Sequence, residues 1–390
     1  IILILYTLLN DANITKSIFY LRFFSFCFIS YFLLKEKLFN IKNTFLFYSF
    51  IVLIICIDTI IQHFLGYNIV GIKSHSFGQI QTKVATSFFL DEKVTGSFIQ
   101  NFGFYLVFAI FYKIKKNNFI SIILKSFLIS LISIAIFVSF QRVPMMIWII
   151  FLFSYGIIYY KKRLTTVLIS LVIFSIFVNN FGSKQLLNNY KSFFINVSQI
   201  VNLTEKNYKI TKDKKHFSNK AENTNSDKIV LDLDTAEVTN PDYQGQEDLL
   251  KLIGGSGHAN IYANSLLIWK DNKFLGIGQK NFYNKCAENK FHRCANHPHN
   301  YYLEVLTTTG IVGFLFFIFF LISILLKTIY SIKIYYNKIN SFKFDILFLA
   351  LINFLMFFFP LKSTGSFFTT TNSTYMVITL VILLSQLQKI

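Results

Sequence analysis

Two histidines, a proline and an asparagine run straight into an apolar helix in NHPHNYYLEVLTTTGIVGFLF, residues 296–316. Pro298 suits the first position of a helix, where its missing N–H is no loss, with Asn296 or His297 at the cap. His299 then falls in the first turn. On a wheel of about 100° per residue, Leu303, Leu306, Gly310 and Gly313 all lie within about 40° of His299. Small residues on a span let another helix approach closely, so the pattern predicts that this face packs inward and aims the imidazole into a protein cleft. The bland alternative is an interfacial histidine with glycines that merely aid packing. His-Asn, nine residues, then G-x-x-G is a more demanding pattern than that alternative needs.

Arg142 lies in FVSFQRVPMMIW between two apolar runs, with Pro144 placed to open the next helix. An arginine beside a helix N-terminus makes an anion site, because free N–H groups and the helix dipole add to its fork of donors. At membrane depth an unpaired arginine is expensive, so a bound phosphate is a sensible occupant and a snorkelling boundary arginine the alternative. Cys286 and Cys294 bracket CAENKFHRC. In an oxidising compartment such a pair reads as a disulfide closing a short loop. The competing reading is a metal site with His292, His297 or His299, although zinc sites usually show tighter cysteine spacing. Cys27 and Cys56 fall inside apolar runs and read as packing residues.

The elements that must position these residues are membrane helices. With 48 Phe and only 15% charged residues in 390, the chain is too apolar for a water-soluble globule of this length. Apolar runs fall at about 14–34, 44–62, 98–112, 119–139, 144–160, 164–178, 301–326, 344–359 and 374–388, with a partial run at 1–9. Ile1 lies inside an apolar run, which leaves room for one or two spans before it. The expected fold is an all-α polytopic membrane protein of about ten or more transmembrane helices, with one large, partly helical loop outside.

Lysines set the orientation, because short cytoplasmic loops keep positive charge. Lys35, Lys37 and Lys42 share one loop; Lys113, Lys115 and Lys116 a second; Lys161, Lys162 and Arg163 a third; Lys327, Lys333, Lys338 and Lys343 a fourth. Span counting puts all four on one side, and the loops 63–97, 140–143, 179–300 and 360–373 on the other. The formal net charge of +19 is thus spread as topology signals and matches anionic lipid headgroups rather than nucleic acid. Three regions follow: N-terminal helices over 1–178, the large loop over 179–300 and C-terminal helices over 301–390. Within the loop, about 205–245 is Lys-, Asn- and Asp-rich and reads as flexible. From Leu249 helical spacing returns, followed by the glycine-punctuated FLGIGQKNFY.

HNYYLEVLTTTGIVG at 299–313 resembles the motif of the O-antigen ligase and O-antigen polymerase superfamily. KDNKFLGIGQKNF at 270–282 is similar to its pre-motif segment, CAENKFHRCANHPHN at 286–300 to members with a cysteine pair, SFQRVPM at 139–145 to its arginine turn, and EKVTGSFIQNFGFYL at 92–106 to its earlier outer-face segment. The resemblance implies an inner-membrane glycosyltransferase, metal-independent and inverting, with its large loop in the periplasm and no cofactor. It would take a glycan from an undecaprenyl-diphosphate carrier and pass it to the lipid A core (a ligase) or to a second lipid-linked glycan (a polymerase). Carried over, His299 is the general base, Arg142 holds the leaving diphosphate, and Asn300 orients the ring or a sugar. Where many members carry a second arginine this chain has GGSGHANIY, so His258, Arg293 or Lys280 is expected to supply that charge. A transporter of lipid-linked glycans explains the spans but not the His–Gly spacing. A purely structural membrane protein explains neither Arg142 nor the folded half of the loop.

Overall fold

The computed structural model describes residues 18–76, 83–90, 92–115, 118–191, 258–289, 291, 294–335, 342–360, 362–363 and 365–387. The expectations for 1–9, 205–245, His292 and Arg293 lie outside these residues. Each of the nine apolar runs from 14–34 onward is a helix. They are α1 (Arg22–Lys35), α2 (Ile41–Leu65), α3 (Thr95–Lys113), α4 (Phe119–Val138), α5 (Arg142–Ile158), α6 (Tyr160–Phe181), α9 (Tyr301–Tyr335), α10 (Phe342–Phe357) and α11 (Thr370–Gln386), while α7 (Ala259–Asp271) and α8 (Phe282–Glu288) precede the motif. Local chemistry sets several ends. Asn40 and Asn118 cap α2 and α4 by accepting from the N–H groups of Lys42 and Ser121, both at 3.1 Å, and Gly66 closes α2 in the left-handed region. Two-residue strands β1 (His75–Ser76) and β2 (Lys83–Val84) pair antiparallel in the connection from α2 to α3.

Among the described residues, five helices are long and apolar enough to cross a membrane: Ile18–Lys35, Ile41–Leu65, Phe119–Val138, Arg163–Phe181 and Tyr301–Tyr335. The protein is an all-α membrane protein, and among the described residues length and composition alone support five spans. The other helices at apolar runs, α3, α5, α10 and α11, are shorter or more polar than a lone span requires. α3 packs against α2, α4, α5 and α10 and is buried on all sides from Gly103 to Ile110, the mark of a central helix. Phe24, Phe28, Phe50, Phe119 and Phe319 instead point away from the bundle. Such an apolar exterior suits lipid and would be a liability in water.

Contacts gather the four lysine-bearing loops at one end. Lys42 stands over the Tyr112 ring at 4.8 Å, Arg163 over Phe111 at 4.8 Å, and Arg163 pairs with Asp345 at 3.0 Å. At the other end, Asp58 organises the connection from α2 to α3 by accepting from the Ile69 N–H (2.9 Å), the Ser87 hydroxyl (2.5 Å) and the Asn68 amide (3.3 Å). This second end also holds His299.

The motif helix differs from expectation in two ways. It begins at Tyr301, so His299 is not in its first turn but precedes it, in left-handed backbone at φ 55°. Helical wheel geometry therefore does not place the imidazole. It is also broken at Gly310 (φ 63°, ψ −170°), a conformation only glycine adopts readily. The backbone groups freed by the break are met by residues 273–278: Ile277 and Gly278 donate to the Thr307 and Thr308 carbonyls at 2.9 and 3.0 Å, and Ile311 donates to the Lys273 carbonyl at 2.8 Å. Irregular backbone inside a membrane protein survives only where protein satisfies it in this way. A side chain on Gly310 would overlap the Phe274 carbonyl, and one on Gly276 the Thr307 carbonyl. What Gly310 admits is a loop rather than another helix. A side chain on Gly313 would meet only Thr309 of its own helix.

Candidate active site

His299 stands half-buried among imidazoles. Its ring lies 4.1 Å from that of His297 and 4.9 Å from that of His258, which precedes α7. The sequence reading puts Asn296 or His297 at the cap of the motif helix, yet the turn at Pro298 folds His297 onto His299. Asn300 locks this turn. Its Oδ1 caps α9, accepting from Tyr302 N–H at 3.0 Å and Leu303 N–H at 3.2 Å, and its Nδ2 donates to the carbonyls of Pro360 (2.7 Å) and Lys362 (3.4 Å). With the amide so engaged, Asn300 fixes the backbone that carries His299. Glu304, one turn on, is buried and accepts from the Ser366 hydroxyl and the Phe367 N–H, holding the same 360–367 loop.

Electrostatics oppose the build-up of more than one charge in this cluster. Burial lowers the pKa of His258 below its ordinary value. Two charged rings about 5 Å apart repel by roughly 3 kcal/mol at an effective dielectric near 20, so protons do not accumulate. A neutral imidazole at the end of the bundle is a competent base.

Arg142 is the first residue of α5, with Pro144 in the same first turn rather than opening it. The preceding Gln141 straps this turn to α3: its Oε1 accepts from both the N–H and the hydroxyl of Ser97 at 2.8 Å, and its Nε2 donates to the Lys93 carbonyl. Lys93 is thereby held beside Arg142. Burial and then the guanidinium lower the pKa of Lys93, so two cations share this spot. One turn beyond Ser97, Gln100 and Asn101 reach Lys362 (3.2 and 3.5 Å), whose carbonyl binds Asn300. A chain of contacts thus runs from the Arg142 turn through α3 to His299.

Residues 126–318 match the family model described as O-antigen ligase. The chain belongs to the O-antigen ligase superfamily. Its members are glycosyltransferase-like enzymes of O-antigen assembly that act on lipid-linked glycans. No curated protein matches the chain, and no solved structure does. The match takes in Arg142, His258, His299 and both motif glycines, so the helices that carry the cluster and the arginine turn belong to one O-antigen ligase unit.

The remaining residues singled out from this O-antigen ligase sequence fall as follows. Cys286 and Cys294 are joined by a disulfide that closes the loop before the histidines. Among the described residues no group of histidines, cysteines and carboxylates is arranged to hold a metal ion. Lys280 is exposed on a left-handed turn at φ 61°. His258 joins the histidine cluster rather than standing as a separate cation. The sequence reading passed over Gln141, Lys93 and Lys362. A lone lysine in the short 360–373 loop was the available signal for the last of these.

Proposed function

We propose that this protein is an O-antigen ligase-like glycosyltransferase that moves a glycan from an undecaprenyl-diphosphate carrier to a hydroxyl of the lipid A core. The reading sets it in the bacterial inner membrane, with 1–178 and 301–390 as membrane regions, further spans beyond the five, and 179–300 facing the periplasm. His299 takes the acceptor hydroxyl's proton as that oxygen bonds to the anomeric carbon from the face opposite the carrier, so the configuration inverts. The bond from that carbon to the diphosphate oxygen breaks, and the electron pair stays on the diphosphate. Arg142 offsets this growing charge, where its bidentate fork is worth more than a point charge. No step calls for a metal or cofactor.

The observation that carries the reading is the histidine turn itself. A left-handed His299 locked by Asn300, flanked by two imidazoles and tied through α3 to Arg142, supports reading a base and an anion site in one connected region. The test is transfer from a lipid-diphosphate glycan by purified protein. His299→Ala should lower turnover by a factor on the order of 10²–10⁴, and undiminished transfer would remove the base. A polymerase would use the same donor with a second lipid-linked glycan as acceptor. A deletion strain separates the two: undecorated core with polymer left on its carrier marks a ligase, and core bearing a single repeat marks a polymerase.

A further inference from the structure

Lys362 lies in the connection between α10 and α11 and is 5% exposed. Its ammonium meets Gln100 Oε1 at 3.2 Å, Asn101 Oδ1 at 3.5 Å and, more distantly, the Phe357 ring at 5.9 Å. Both hydrogen-bond partners are neutral amides. Among the described residues no carboxylate pairs with it. The buried acid Glu304, which holds the same loop, is committed to Ser366 and Phe367. Removing a charge from water costs several kcal/mol per ion even after the protein relaxes, and an amide pair recovers only part of that. Burial accordingly pushes the Lys362 pKa down to about 8. A cation kept at such expense, with one N–H still to place, is built to meet an anion.

The surroundings say which anion. The Lys362 loop is tied to the base turn by Asn300. Tyr262, on the helix that follows His258, lies close to Ser363 of the same loop. The ammonium itself sits on α3 one turn beyond Ser97, the residue that holds the Arg142 turn. Asn300 is therefore bonded directly to the Lys362 loop, and the Arg142 turn is bonded to the same helix, α3, that Lys362 sits on. His258, Arg293 and Lys280 are poorer candidates for the second charge: the first is a neutral-leaning ring in the histidine cluster, the second lies outside the described residues, and the third is exposed.

We infer that Lys362 is the second cation of the donor site, binding the diphosphate of the lipid carrier from the buried side while Arg142 binds it from the α5 turn. The inference rests on reading the Arg142 turn as a diphosphate site. When the glycosidic bond breaks and charge collects on the diphosphate, a desolvated ammonium stabilises it more than a hydrated one would.

The experiment measures binding of farnesyl diphosphate, with farnesol as the uncharged reference, to the full chain in detergent. Wild type should prefer the diphosphate. Lys362→Met, close to lysine in shape and uncharged, should weaken diphosphate binding tenfold or more while leaving farnesol binding and thermal unfolding unchanged. In transfer assays the same variant should raise the donor KM and leave the acceptor KM in place, a split that a merely structural lysine would not produce. If Lys362→Met does not fold, Lys362→Gln carries the same comparison. Wild-type diphosphate affinity in a folded Lys362 variant, alongside a loss in Arg142→Ala, would overturn the role of Lys362 and leave the Arg142 site standing. Wild-type affinity in Arg142→Ala would remove the diphosphate reading itself, and this inference with it.

Discussion

Two buried cations, Arg163 and Lys362, mark opposite ends of the bundle. Arg163 touches Phe111 near the end of α3 and Lys362 touches Gln100 near its start, a separation of about 16 Å at 1.5 Å per residue. Arg163 is fully answered by the protein. Asp345 accepts from it at 3.0 and 3.1 Å, Tyr155 bonds it, Tyr159 bonds the same carboxylate, and its guanidinium lies 3.7 Å from the Tyr159 ring. Lys362 has two neutral amides. The same problem, a charge out of water, is solved internally at one end and left open at the other. The first is how a fold holds helices in register; the second is how a site waits for a ligand.

The largest effect that would break this contrast is on stability at the Arg163 end. Asp345→Ala leaves a buried guanidinium without its counter-charge, a change that costs about 3–5 kcal/mol. Thermal unfolding of the purified variant in detergent should fall well below wild type, whereas Lys362→Met should unfold close to it. Equal losses at the two ends would erase the distinction between a structural and a functional cation.

A smaller effect is expected at Gly310. Alanine there must hold φ 63° with ψ −170° and clear the Phe274 carbonyl, which costs about 1–3 kcal/mol for the backbone alone. Gly313→Ala meets only the Thr309 side chain of its own helix and should lose less. The sharper readout is activity. Gly310→Ala unstitches residues 273–278 from the helix that His299 precedes, so transfer should fall further than the stability loss explains. A Gly310→Ala protein with full transfer would show that the broken helix does not position the base.

Much of this was legible beforehand, for physical reasons that differ by residue. Apolar runs show in sequence because lipid imposes them over some twenty residues, and all nine found helices. Lysine clustering shows because it is a property of loops, and contacts do bring the four loops to one end. The cysteine pair shows because eight residues of separation closes a short loop. The break at Gly310 was hidden, since the wheel assumes the regular helix that the break destroys, and a glycine at a helix crossing and one at a loop crossing look alike. His297 was hidden because its nearness to His299 depends on one positive φ. Gln141, Lys93 and Lys362 were hidden for a different cause: their neighbours lie 44 residues or more away along the chain, where spacing carries no information.

The smallest effect concerns His258 and tests whether burial holds this ring neutral. Burial depresses its pKa from an ordinary value of 6.5. The unfolded chain therefore binds a proton at that site more readily than the folded one, and stability rises with pH across the window between the two values. Its contribution is fully present above 6.5 and is lost as pH falls through the lower folded value. Unfolding followed in detergent from pH 7.5 down to about pH 5 should show this loss in wild type, and His258→Gln should flatten the slope because glutamine does not titrate. The same substitution removes one neighbour that discourages protonation of the cluster, so the acid limb of the transfer profile should move as well. An unchanged slope together with an unmoved acid limb would mean that the ring beside His299 has no electrostatic hold on it, leaving the Asn300 lock as the cluster's whole contribution to the base.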